Sequence, residues 1–203
     1  TGCDALAISY GTMHGASKGK DVKLRKEIAI AIKECMMHEN LFGVLVSHGS
    51  STVPKYIVDE INALGGNIQN AYGISIDELK AAIPCGIGKI NVDTDIRLAV
   101  TRNMKEFFKN NPSKRDSASI GGVYQLLEEK KDQFDPRAFL PPIMDTVMYG
   151  TIKDDDTAAL VEVIEKGVKE AIGTLIVEFG SFGKAPLVEQ VSLEEMIERY
   201  KKM

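Results

Sequence analysis

Cysteine is scarce in this chain: Cys3, Cys35 and Cys85 are the full set, and no CxxC spacing occurs. An odd, scattered trio excludes a disulfide framework. It reads as buried or partly buried free thiols in a reducing compartment, so the expected location is cytoplasmic. Positive charge is also short, with 25 lysines and arginines against 29 aspartates and glutamates and a formal net charge of -4. That balance argues against a nucleic-acid partner, which calls for a basic surface. The apolar runs are far too short to span a bilayer, so no membrane partner is expected. No basic, apolar and small-residue series opens the chain, so no signal peptide is expected. Solenoid repeats and low-complexity tracts are missing as well.

What remains is an ordinary globular composition. The 203 residues are 44% hydrophobic and 27% charged, enough for one domain with a sizeable core. Three apolar runs share one design. Residues 4–10 (DALAISY) lead into Gly-Thr-Met-His-Gly, residues 43–47 (GVLVS) into His-Gly-Ser-Ser-Thr, and residues 88–92 (GKINV) into Asp-Thr-Asp. Continuous rather than alternating apolar runs suit strands of a parallel sheet, buried on both faces. The chain opens Thr1-Gly2-Cys3-Asp4 without methionine and enters the first such strand almost at once, which reads as a start in mid-fold.

Helical patterns fill the intervals. Residues 24–39 carry Leu24, Ile28, Ile32 and Cys35 at helical spacing,. Residues 54–64 begin with a proline and stop at Gly65-Gly66, and residues 75–83 begin with Ser75 and Glu78 in capping-box spacing,. Residues 95–109 follow the third strand. Strand ends at His14, His48 and Asn91 are 34 and 43 residues apart, the interval of βαβ units. Beyond Asn110 no further strand is expected. Residues 116–131, 136–148, 157–179 and 192–202 read as helices, residues 153–157 as an exposed loop leading into a cap, and residues 179–185 as a glycine-rich loop. Three βα units do not close a barrel, so such a sheet has open edges.

In parallel α/β folds, function gathers at the carboxyl ends of strands. His14, His48, Asn91 and the Asp93-Thr94-Asp95 run all fall there. Two of the three histidines occupy equivalent positions, each after a strand and before a glycine. Neutral imidazole is the commonest metal ligand, and catalytic zinc usually has three protein ligands and an open position. Two unrelated, hydrogen-bonded histidines would share the same spacing. His38 reads as an ordinary residue at a helix end. Gly15, Gly49 and Ser51 lie in turns whose amides can approach an anion, and Ser51 precedes the helix at Pro54, whose N-terminus is a phosphate site. Asp93 and Thr94 suit either ligand contact or plain N-capping. Lys18 and Arg97 offer cations for phosphates. Lys89, in the third strand, is a possible Schiff-base nucleophile, although its position points it toward the helical layer.

Taken together, the runs TGCDALAISYGTMHGASKG, VSHGSSTVP and GKINVDTDIRLA resemble the last three strands and loops of class II fructose-bisphosphate aldolases. The later FDPRAFL and FGSFGKA are similar to that family's longer-form C-terminal region. The resemblance implies a TIM (β/α)8 barrel. Residues 1–110 would hold its C-terminal βα units with the metal and phosphate sites, and residues 111–203 a helical extension of the same domain. It also implies a resident divalent metal, zinc by family habit, with cobalt or iron suited to the same ligands. His14 and His48 match metal ligands. Gly15, Lys18, Gly49, Ser51, Asp93, Thr94 and Arg97 match substrate or phosphate contacts, and Asn91 matches the catalytic asparagine near the reacting carbon.

Met13 and Ser17 depart from the serine and aromatic residue that commonly flank the first histidine. The remaining metal histidine and the catalytic aspartate belong to earlier strands of the family and match nothing here. The implied reaction is metal-dependent, reversible cleavage of fructose 1,6-bisphosphate, a glycolytic lyase step, in a homo-oligomer. A tagatose or sedoheptulose bisphosphate aldolase, or a non-catalytic phosphosugar- or metal-binding fragment, fits the same motifs.

Overall fold

The computed structural model describes residues 2–15 and 19–202. It is a mixed α/β structure. Its first half runs β1 (Ala5–Ala7), α1 (Lys26–His38), β2 (Val44–Ser47), α2 (Lys55–Ala63), α3 (Ile76–Ala82), β3 (Ile87–Ile90) and α4 (Thr94–Asn110). The three strands form a parallel sheet in the order β1-β2-β3. Ala7 sits opposite Val46, and Ser47 opposite Ile90, so the three runs leave the sheet at one rim. The strands are shorter than the apolar runs because the run ends are already committed to loops. The Tyr10 carbonyl, for example, accepts from the Arg25 amide at 2.8 Å.

Burial on both faces, expected from the apolar runs, holds only in the central strand, where the successive residues Leu45, Val46 and Ser47 are all buried. Leu45 and Ile87 pack with Ala29, Leu79 and Ala82 on the helical side. On the rest of the sheet all three residues of β1 are exposed, as are Val44, Gly88 and Lys89. Among the described residues β1 and β3 are sheet edges, and the face carrying Val44, Gly88 and Lys89 is the more open one. Val44 alone leaves 41% of its surface open.

Helix ends follow local chemistry. Ser75 accepts from the Glu78 amide, Asp154 from the Thr157 amide and Ser192 from the Glu195 amide, each satisfying a donor that the first helical turn leaves unpaired. Only half of the capping box at Ser75 forms. The Glu78 carboxylate turns instead to Lys26 Nζ at 2.8 Å, the Leu24 amide at 3.0 Å and Lys23 Nζ at 3.3 Å. It thereby ties the β1–α1 connection to α3.

The second half contains α5 (Gly121–Glu129), α6 (Met144–Tyr149), α7 (Asp155–Glu178) and α8 (Leu193–Lys201). The expected helix at 116–131 shrinks to α5, because a 3-10 turn at Pro112–Asp116 and an extended Ser117 precede it. The expected helix at 136–148 breaks into 3-10 turns and α6. Pro136, Pro141 and Pro142 lack the amide donors a continuous helix needs. The long α7 packs on α4 through Gly167, where a Cβ would lie 2.9 Å from the Val100 Cα. Glycine lets the two backbones meet. Val100, Met104 and Phe108 then join Ile120, Val123, Leu127 and Leu160 in a core. Lys105 is buried in the same region and donates to the Leu127 carbonyl in the last turn of α5 at 3.2 Å. Burial pushes its pKa down, while the helix C-terminus favours its cation. No helix among the described residues is long and apolar enough to cross a membrane.

Glu78 carries a pH signature. Its hydrogen bond from Lys26, then that from the Leu24 amide, lowers its pKa from 4.5 to about 2. A depressed carboxylate contributes stability that is complete above the unfolded pKa and is lost as pH falls toward the folded one. Glu78→Gln should therefore cost about 1–2 kcal/mol at neutral pH, and progressively less from about pH 4.5 down to 2. Urea denaturation across that range checks it; a loss independent of pH would contradict the assignment.

Candidate functional site

At the rim, the turns after β1 and β2 bring two imidazoles together. His48 Nδ1 lies 3.1 Å from His14 Nε2, with ring centroids 4.6 Å apart and planes inclined at 51°. Gly49 makes this approach possible. Its φ is +69°, and a Cβ there would stand 3.0 Å from the Met13 carbonyl oxygen. Any side chain would push the second turn off the first. Gly15 also needs the left-handed region, at φ +90°.

Beneath the histidines runs a buried chain of hydroxyls. Tyr10, 1% exposed, donates to Ser47 Oγ. Ser47 and Ser50 Oγ are 2.6 Å apart, and the Ser50 hydroxyl donates to the Ser47 carbonyl at 3.0 Å. A hydroxyl has one hydrogen, so the Ser47 hydrogen goes to Ser50 and the chain has one direction. Burial raises the Tyr10 pKa, which keeps the phenol a donor.

The facing histidine nitrogens suit two chemistries. One imidazole can donate to the other, or both lone pairs can meet a shared cation. A tetrahedral zinc with nitrogens at about 2.0–2.1 Å separates two ligands by roughly 3.3 Å, close to the spacing here. Among the described residues, no group of three or more histidines, cysteines, aspartates and glutamates forms a metal cage. The pair therefore amounts to two ligand positions.

The second rim group is a reciprocal clasp. Ser51 Oγ accepts from the amides of Asp93 and Thr94 at 3.1 and 3.0 Å. The buried Asp95 carboxylate accepts from the Thr52 amide at 3.0 Å, the Thr52 hydroxyl at 2.7 Å and the Val53 amide at 2.8 Å. Ser51 thus serves the N-terminus of α4, whereas the helix at Pro54 has no side-chain cap. Asp93 does not N-cap with its side chain either. The clasp holds Val53 at φ +49°, an uncommon and strained conformation for a β-branched residue.

The Asp93 carboxylate instead accepts from Arg97, with Nε–Oδ1 at 2.8 Å and an Nη2–Oδ2 contact of 2.7 Å. Arg97 also pairs with Asp135, which binds Arg137 in turn. The Arg137 bonds are the largest cause holding the Asp135 carboxyl below its usual range. Sequence reading passed over Asp135. Its only local signal is an aspartate before Pro-Arg, where it caps a 3-10 turn by accepting from the Arg137 amide at 3.0 Å.

Lys89 does not point toward the helical layer as expected: a register shift sets it opposite Val46 rather than Leu45, and it is exposed where Ile87 and Ile90 pack with the helices. Its Nζ donates to Asn91 Oδ1, so it shares the face of Asn91. The Asn91 backbone is held at both ends, donating to the Ser47 carbonyl at 2.9 Å and accepting from the Ser50 amide at 3.1 Å. Lys18 and Ser17 lie outside the described residues. His38 is an exposed residue beside Glu39. The thiols are free, but Cys3 and Cys35 are exposed rather than buried and Cys85 is half-buried. A separate groove of about 1040 Å³ runs between α2, α4 and α7; His14 and His48 do not line it.

Comparison with known proteins bears on what this rim is for. The family described as "Fructose-bisphosphate aldolase class-II" matches residues 1–184. A fructose-bisphosphate aldolase of Giardia intestinalis is 36% identical over 202 residues, covering 99% of this chain and 49% of the relative. One of Xanthobacter flavus is 32% identical over 200 residues, covering 98% of this chain and 45% of the relative. One of Nostoc sp. is 33% identical over 204 residues, covering 100% and 45%. The chain spans about half the length of the curated relatives it matches.

The clasp makes a direct prediction. In Asp95→Asn, one carboxylate oxygen becomes an amide facing a backbone donor. The variant should lose about 2–4 kcal/mol of stability, with faster amide exchange at Thr52 and Val53. A loss below about 0.5 kcal/mol, the usual range of surface changes, would show that the clasp does not hold the loop.

Proposed function

The chain belongs to the class-II fructose-bisphosphate aldolase family, and we propose that the protein performs metal-dependent, reversible cleavage of fructose 1,6-bisphosphate to dihydroxyacetone phosphate and glyceraldehyde 3-phosphate. This is a lyase reaction of glycolysis and gluconeogenesis, assigned here to the cytoplasm and to a homo-oligomer. The observation that carries the reading is the 3.1 Å approach of His14 to His48.

The proposed architecture is a TIM barrel of which these are the last three strands. Residues 1–110 carry the metal and phosphate loops, and residues 111–203 form a helical extension of the same domain. Support comes from the parallel sheet, its open edges, the exposed β1 and the packing of α7 on α4. The third metal ligand and the general base are assigned to polypeptide matching the remaining length of the relatives.

His14 and His48 would hold the divalent ion, with zinc first and cobalt or iron suited to the same nitrogens. When bound, it supplies Lewis acidity toward the carbonyl and hydroxyl oxygens of the ketose. The chain's own residues do the rest. Cleavage breaks the C3–C4 bond, leaves its electron pair on the ketose fragment and removes the proton of the C4 hydroxyl. Asn91 donates an amide hydrogen to the oxygen on which charge develops. The turns at Gly15 and Gly49, with Lys18, Ser51 and Thr94, hold the near phosphate. Arg97, aligned by Asp93, holds the far one. Phosphates gripped away from the breaking bond fix the reacting carbons in place.

In the metal-loaded protein, a chelator should abolish cleavage and added zinc should restore it. His14→Ala and His48→Ala should each lose bound metal by elemental analysis and about 100-fold or more in kcat. Arg97→Ala should lower kcat/KM by about 10–100-fold. Full turnover after metal removal would sink the proposal.

A further inference from the structure

We infer that Lys89 is a positioning residue for Asn91: its ammonium fixes which end of the Asn91 carboxamide faces the reacting fragment. The inference rests on the reading of Asn91 as the donor to the developing charge. A register shift between β2 and β3 sets Lys89 opposite Val46 while Ile87 lies opposite Leu45, and Lys89 Nζ donates to Asn91 Oδ1. The backbone of Asn91 is already pinned by Ser47 and Ser50, so the orientation of its side chain is the freedom left to settle.

A carboxamide is nearly isosteric about its last bond, yet its two ends are chemically opposite. One end accepts hydrogen bonds and the other donates them. Turned one way, Asn91 offers hydrogens to a growing negative charge; turned the other, it offers lone pairs that repel it. A cation at Oδ1 selects the first, because an ammonium has only hydrogens to give. The same bond draws electron density toward the oxygen and makes the amide hydrogens better donors. Among the described residues Lys89 makes no ion pair. Its charge is therefore committed to a neutral amide, which fits orientation better than charge balance. Lys89 is exposed, so replacing it removes little packing.

The test uses the full-length, metal-loaded protein. Lys89→Met should lower kcat by about 10–100-fold, with KM and metal content little changed, and Lys89→Arg should recover part of the loss. Placed on Asn91→Ala, Lys89→Met should have no further effect, because the group it orients is gone. Wild-type kcat in Lys89→Met, or losses that multiply in the double variant, would overturn the inference while leaving the proposed reaction standing. Borohydride trapping of substrate on Lys89 would overturn both in favour of covalent chemistry. An Asn91→Ala protein of undiminished activity would remove the reading of Asn91 itself, and with it the role of Lys89.

Discussion

The rim depends on an exchange of hydrogen bonds between the loop after β2 and the start of α4. Ser51 satisfies two amides of the helix, and Asp95 of the helix satisfies two amides and a hydroxyl of the loop. Neither segment has a complete set of partners without the other. Buried backbone donors left unpaired are costly, so the exchange fixes the loop's path and permits the strained backbone at Val53. His48 sits three residues before Ser51, and Arg97 two residues after Asp95. One clasp therefore spaces the histidine pair and the arginine cluster.

A second constraint sets the height of the histidines. The hydroxyl chain from Tyr10 through Ser47 to Ser50 joins the ends of β1 and β2 under the rim. Gly49 then lets the two turns close on each other. These parts support the site from below and beside, while the residues of β1, Val44 and Lys89 stay exposed. Among the described residues the rim is braced from below and beside, and the sheet keeps two open edges.

Much of the fold is legible from local signals. Ser75, Asp154 and Ser192 cap helices where their spacing says they should, because capping is a matter of three or four neighbouring residues. The apolar runs mark the strands and their parallel order for the same local reason. Burial is less legible: β1 reads as interior, yet its exposure depends on what lies beside it. The proline-broken stretch from 136 to 149 hides three short pieces behind one apolar pattern. At the site, equivalent strand ends single out His14, His48 and Asn91. The partners of Ser51, Asp93, Arg97 and Lys89 do not show in the sequence. They are set by side chains that meet across 42 or 43 residues, by an aspartate in a distant turn, and by the pleat of one strand.

The clasp also imposes an order in time. A chain made from its N-terminus presents His48 and the loop behind it well before Asp95 exists. Until α4 has been synthesised and has closed onto the sheet, the Thr52 and Val53 amides can bond only to water, and Val53 has no reason to hold its left-handed backbone. Contacts of such sequence separation form late, because the loop between them must close first. The rim is therefore among the last features to acquire its shape, and a nascent chain would carry its two rim histidines for some time on turns not yet able to align them.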